Sequence, residues 1–131
     1  MDIPAMKDYC VNSARNTGAV EYGKDLDYSD ASVVAVSEIL DDLHEKYKNG
    51  DENVTDKRAG TLARIFGIYV GEVLRCNHLT DYIWLERAGL GIILVKDIER
   101  FVDPVRVARG QITGDNEESI KAFFDAQAGG E

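Results

Sequence analysis

Cysteine, histidine, methionine and proline each occur only twice in these 131 residues, and tryptophan once. So few cysteines and histidines argue against a disulfide framework and leave few ligands for zinc. Cys10 and Cys76 form one conceivable bridge, but a single pair in a chain of this size reads as two reduced thiols. Long apolar runs are missing too, since nothing approaches the roughly 18 residues that a membrane helix requires. The segment Met1 to Asp8 lacks the basic start and apolar stretch of a secretion signal. Together these absences set the expectation of a soluble, cytoplasmic protein with no membrane contact, no cofactor and no metal.

Positive charge is also scarce. Fifteen basic residues face 24 acidic ones, a net charge of −9. Residues 21–56 hold eleven acids against Lys24, Lys46 and Lys48, while residues 57–109 carry nine bases against six acids. A chain this negative repels phosphate backbones, so nucleic acid is not an expected ligand. The acids have two readings. They keep a small protein soluble, or they form a face that attracts a basic protein. With 44% apolar and 30% charged residues the chain has the composition of a folded domain, and its length fits one.

Periodicity places the elements. Pro4 suits the first turn of a short helix that Gly18 is positioned to stop near Asn16, with a loop following through Tyr28. Val33, Val36, Leu40, Leu43 and Tyr47 recur at helical spacing after a Ser29 or Asp30 cap, and Asn49-Gly50 ends that helix. A third helix follows Thr55 or Asp56 and buries Leu62, Phe66, Tyr69 and Val73. Its glycines, Gly60, Gly67 and Gly71, each cost roughly 1 kcal/mol relative to alanine, which implies close approach by another element. Residues 82–86 and 92–95 are rich in β-formers around an Ala88-Gly89-Leu90-Gly91 turn and read as a hairpin. Residues 98–102 supply a third strand or lead into a helix after Pro104. Asp115 and Glu118 have capping-box spacing before a C-terminal helix carrying Ile120, Phe123 and Phe124. The expected division is an N-terminal helix and loop over 1–25, a main body over 26–128, and a frayed tail over 129–131.

Motifs for chemistry are few. Gly89-Leu90-Gly91 precedes a strand instead of a helix and lacks a third glycine, so it is not a dinucleotide loop. Asp25-x-Asp27-x-Ser29-Asp30 begins like a calcium loop but has Asp30 where the turn needs glycine. His44 sits among acids, where a solvated position is expected. Cys76-x-His78 offers two zinc ligands without a second pair, or a weak nucleophile–base combination. Glu72 lies at the edge of the apolar arc of its helix. A raised pKa would make it an acid, and pairing with Arg75 is the structural alternative. Trp84 and Tyr82 belong to the core or to an interface, with core preferred.

Several segments taken together resemble a family of small bacterial domains without assigned function. They are Leu26-Asp27-Tyr28-Ser29-x-x-Ser32, then Leu62-x-x-x-Phe66-Gly67-x-Tyr69-x-Gly71-Glu72, the Pro104 segment, and Gly114-x-x-x-Glu118-Ser119-Ile120-x-x-Phe123. They span about residues 26–124, and Gly67-x-Tyr69-x-Gly71-Glu72 is their most specific part. The resemblance implies an α+β domain, and proteins of this look often occur among toxin–immunity systems. Asp115-Asn116 departs from the proline-containing turn that it implies.

The resulting expectation is an α+β fold: two long helices on a small antiparallel sheet, with short helices at both ends. The leading functional reading is a non-catalytic acidic domain that binds a basic protein, as an immunity protein or inhibitor would. Asp41, Asp42, Glu45 and Glu38 on the second helix are the candidate contacts. The rivals are a small hydrolase-like enzyme using Glu72 or Cys76, and a structural homodimer through the hairpin or the glycine-lined helix.

Overall fold

The computed structural model describes residues 2–115 and 118–129. Their order is α1 (Ile3–Tyr22), α2 (Asp30–Lys48), α3 (Asp56–Asn77), β1 (Ile83–Arg87), β2 (Gly91–Val95), β3 (Phe101–Val102), α4 (Pro104–Thr113) and α5 (Ile120–Gly129). The strands make one antiparallel sheet in the order β1-β2-β3, with Trp84 opposite Leu94 and Leu94 opposite Val102. Helices and an antiparallel sheet thus occur together, as the α+β expectation requires.

Local chemistry explains most boundaries. The Ser29 hydroxyl accepts from the Ser32 amide at 3.2 Å to start α2, and Thr55 does the same for Arg58 at the start of α3. Asp103 caps α4, whose first residue is Pro104. Two expectations need correction. α1 is not short, because Gly18 does not stop it. That residue is buried under Leu26, and the helix runs on to Gly23, whose left-handed backbone (φ +64°) closes it. α5 is capped by Ser119, which accepts from the Ala122 amide at 3.0 Å, while Asp115 accepts from the Thr113 hydroxyl. The capping box at Asp115 therefore does not form. Asn116, part of the departure from the expected turn, and residues 130–131 of the expected tail lie outside the described residues.

α3 is the centre. Every residue from Ile65 to Leu74 is buried, and α1, α2, α4 and α5 all pack on it. A helix buried all round needs no polar face, and this stretch holds a single charge, Glu72. A third long helix, α1, thus joins the two expected ones, and the sheet sits beside the bundle. Gly67 and Gly71 permit the closest approaches. A Cβ on Gly67 would lie 2.6 Å from Val105 Cα, in the backbone of α4, and one on Gly71 would lie 2.7 Å from Trp84 Cζ2. The third glycine, Gly60, faces open space and shares no part of this packing.

Candidate functional site

Two polar centres interrupt the buried face of α3, at Tyr69 and at Glu72, and the first joins two of the segments named above, Leu26–Ser32 and Leu62–Glu72. At the first, the hydroxyl of fully buried Tyr69 accepts from the Tyr28 amide at 2.9 Å and lies 2.7 Å from Ser32 Oγ. Ser32 spends its own proton on the Ser29 carbonyl at 2.6 Å, so Tyr69 is the donor to Ser32. Tyr28 has φ +67°, a left-handed conformation that a bulky residue rarely adopts. It is held there from several sides. Asn77 donates to its carbonyl at 2.9 Å, and the Arg15 guanidinium lies 5.2 Å from its ring centre. Strain of this kind persists only where the surroundings over-determine it. Here the contacts tie the α1–α2 loop to α1, α2 and α3, which gives these motif residues a structural role.

The second centre is Glu72. Its buried carboxylate accepts from Arg75 Nε at 2.6 Å, Arg75 Nη2 at 3.1 Å and Trp84 Nε1 at 2.9 Å, with Lys7 Nζ at 3.6 Å. Burial alone would raise its pKa. The hydrogen bonds from Arg75 and Trp84, with the charges of Arg75 and Lys7, outweigh that and hold it below the ordinary carboxylate value. The pairing with Arg75 is the structural alternative foreseen above. A carboxyl kept ionised and fully engaged has no proton to give, so this geometry opposes the acid role.

The acids and histidines among the remaining candidates are also committed within the fold. On α2, Glu38 pairs with Lys24 at 2.7 Å and Glu45 with Lys48 at 3.3 Å. Asp42 accepts from Tyr22 at 2.7 Å and pairs with Lys46 at 3.1 Å, while Asp41 accepts from Gln111 Nε2 at 2.9 Å. The four acids share one side of the helix, but the outer pair leans onto neighbours, Asp41 toward α4 and Asp42 toward α1. His44 is not solvated as expected. It is half-buried, with Nδ1 2.9 Å from the Ile112 carbonyl in the last turn of α4. His78 places Nε2 2.7 Å from Asp30 and sets its ring edge-on to Phe124, so it serves α2 and α5 rather than Cys76. Cys10 is buried and Cys76 exposed, and both are free thiols. Among the described residues no cluster of three or more metal-ligating side chains occurs, and no helix is long and apolar enough to cross a membrane.

Sequence reasoning offered the hairpin as a dimer surface but did not tell its two faces apart; the more exposed one is the outer face of the sheet. Alternation along the strands sends Trp84, Leu94 and Val102 to one face and Ile83, Leu85, Ile93, Val95 and Phe101 to the other. Leu94 and Val102 join the continuous core, and Trp84 packs on it. Ile93 and Val95 stand apart from that core. They are buried in the central strand, while Ile83 is 58% exposed, Leu85 40% and Phe101 39% around them. At the β2–β3 turn Ile98 is 83% exposed. The signal was present in Ile92-Ile93-Leu94-Val95, an unbroken apolar run of the kind found in strands covered on both sides. No family model, curated protein or solved structure matches this chain.

Proposed function

We propose that this chain is a non-catalytic protein-binding domain that holds its partner on the outer face of the sheet. The supporting observation is that face itself, where Ile83, Leu85 and Phe101 present apolar surface to water around a central strand already apolar on both sides. The partner that fits is a basic protein with an apolar patch of its own. The net charge of −9 draws it in, and the sheet face supplies the contact that slows its release. The acids of α2 act through the long-range field in this reading, because their side chains already have partners. An immunity protein or inhibitor is the form of this function that the family resemblance favours. The enzyme reading loses its acid in Glu72 and its base in His78, each committed to a structural pair. The test is cross-linking in the native host with wild type and with an Ile83→Asp/Phe101→Ser double variant. The expected result is a basic partner that the wild type captures and the variant loses while keeping its melting temperature. An unchanged set of cross-linked proteins overturns the proposal, and a doubled mass in light scattering replaces the basic partner with a second copy.

A further inference from the structure

Beyond the partner face, a second region carries an inference of its own. Between the first two turns of α1, the last turn of α3 and the start of β1 lies an open cleft of about 450 Å³. Its walls are apolar and still accessible: Ile3, Tyr82 and Trp84 are half-buried, while Pro4 and Ile83 are exposed. The charged groups among the lining residues are both cations, Lys7 and Arg75. One carboxylate draws them together, since Glu72 Oε2 lies 3.6 Å from Lys7 Nζ and 3.1 Å from Arg75 Nη2. Glu72 sits beneath them with a side chain only 5% exposed, so a single buried carboxylate serves two cations. Asp8 also meets Lys7, at 3.2 Å, but its side chain is 67% exposed and does not line the cleft, and salt screens such a pair. Arg75 spends Nε and Nη2 on Glu72, and its Nη1 donates to no group among the described residues. Accessible apolar walls with a few placed polar groups are the ordinary build of a small-molecule site, and this volume lies within that range.

We propose that this cleft binds a small organic acid, a single carboxylate on an aromatic body. The carboxylate takes the unused Nη1 side of Arg75 with Lys7 beside it, a charge-assisted contact that suits the planar guanidinium. The body lies against Trp84, Tyr82 and Ile83, where covering apolar surface supplies the affinity. An amine of the same shape meets two cations and is rejected, and acetate has no body to cover the walls. Trp84 is the only tryptophan of the chain, so its fluorescence reports occupancy of the cleft. Titration with 3-phenylpropionate is expected to give a saturable change in that fluorescence, with calorimetry on the same samples as a second readout. The amide and the amine of the same skeleton, and acetate, should each bind at least about tenfold more weakly. Lys7→Gln removes one cation, and Arg75→Lys keeps a cation for Glu72 but loses the fork; each weakens 3-phenylpropionate while circular dichroism shows the fold retained. Both variants leave Ile83 in place and partner capture unchanged, which separates this site from the sheet face. Absence of saturable 3-phenylpropionate binding up to about 10 mM by both readouts overturns the proposal. So does an amide that binds as tightly as the acid, or wild-type affinity in both variants.

Discussion

On the inner face of the sheet, Trp84, Leu94 and Val102 meet the helical body; on the outer face, Ile83, Leu85 and Phe101 meet water. Both faces are apolar, and they differ in what lies opposite. The inner face is matched in detail. Gly71 leaves room for the Trp84 ring, and Glu72 accepts a hydrogen bond from its indole N–H at 2.9 Å. Among the described residues the outer face has no such matched contact with a helix, yet Ile93 and Val95 on it are buried. A folding domain does not need such a surface for its own core. The contrast separates residues that hold the chain together from residues free to hold something else.

That contrast can be broken, most forcefully from the inner side. Gly71→Leu forces a side chain into the Trp84 ring and destabilises the domain by about 1–3 kcal/mol despite better helix propensity, as a denaturant titration should report. A stabilised variant would mean that the inner contact is loose. Glu72→Gln follows at about 1–2 kcal/mol, because Arg75 and Lys7 can turn toward water while the Trp84 N–H keeps a single neutral acceptor. The sign with pH is fixed by a folded pKa below the unfolded one. The Glu72 contribution is complete above the unfolded value, about 4.3, and is lost as pH falls through the folded value. Acid titrations of wild type and Glu72→Gln should therefore converge at the lowest pH. Gly60→Ala, on the same helix but facing open space, should gain about 0.5–1 kcal/mol and raise the melting temperature, which shows that close approach and not the helix itself sets the cost at Gly71. Smallest of all is Ile83→Asp on the outer face, within about 0.5 kcal/mol of wild type, detected as unchanged unfolding alongside lost partner capture.

Legibility in the sequence followed the range of the interactions. The α2 stripe, the caps at Ser29 and Thr55, and the hairpin around Gly89 depend on residues a few positions apart, and all appear where the pattern placed them. The Glu72–Arg75 pair is equally local, at i,i+3. The end of α1 was misjudged because Gly18 is small for the sake of Leu26, eight residues on, and not for a turn. His44 was misread for a similar reason: its partner, the Ile112 carbonyl, belongs to a helix 68 residues away. The four acids of α2 do share a side, as helix geometry requires; the Asp42–Lys46 and Glu45–Lys48 pairs are local, whereas the Lys24 pair of Glu38 and the Gln111 hydrogen bond to Asp41 come from other elements and leave no trace in local spacing. The outer sheet face depends on strand order, which alternation alone does not give.

The left-handed Tyr28 has a consequence for how the molecule opens. Its amide is bonded to a hydroxyl on α3 rather than to its own loop, and its φ of +67° costs free energy in any other setting. Whenever α3 moves away, the loop has reason to relax at once, and the amide loses its acceptor in the same event. Hydrogen exchange at this one position therefore reads the docking of α3 against the α1–α2 loop, with a protection factor that tracks the release of that loop and not the fraying of either helix. A single amide becomes the gauge of whether the centre of the domain is closed.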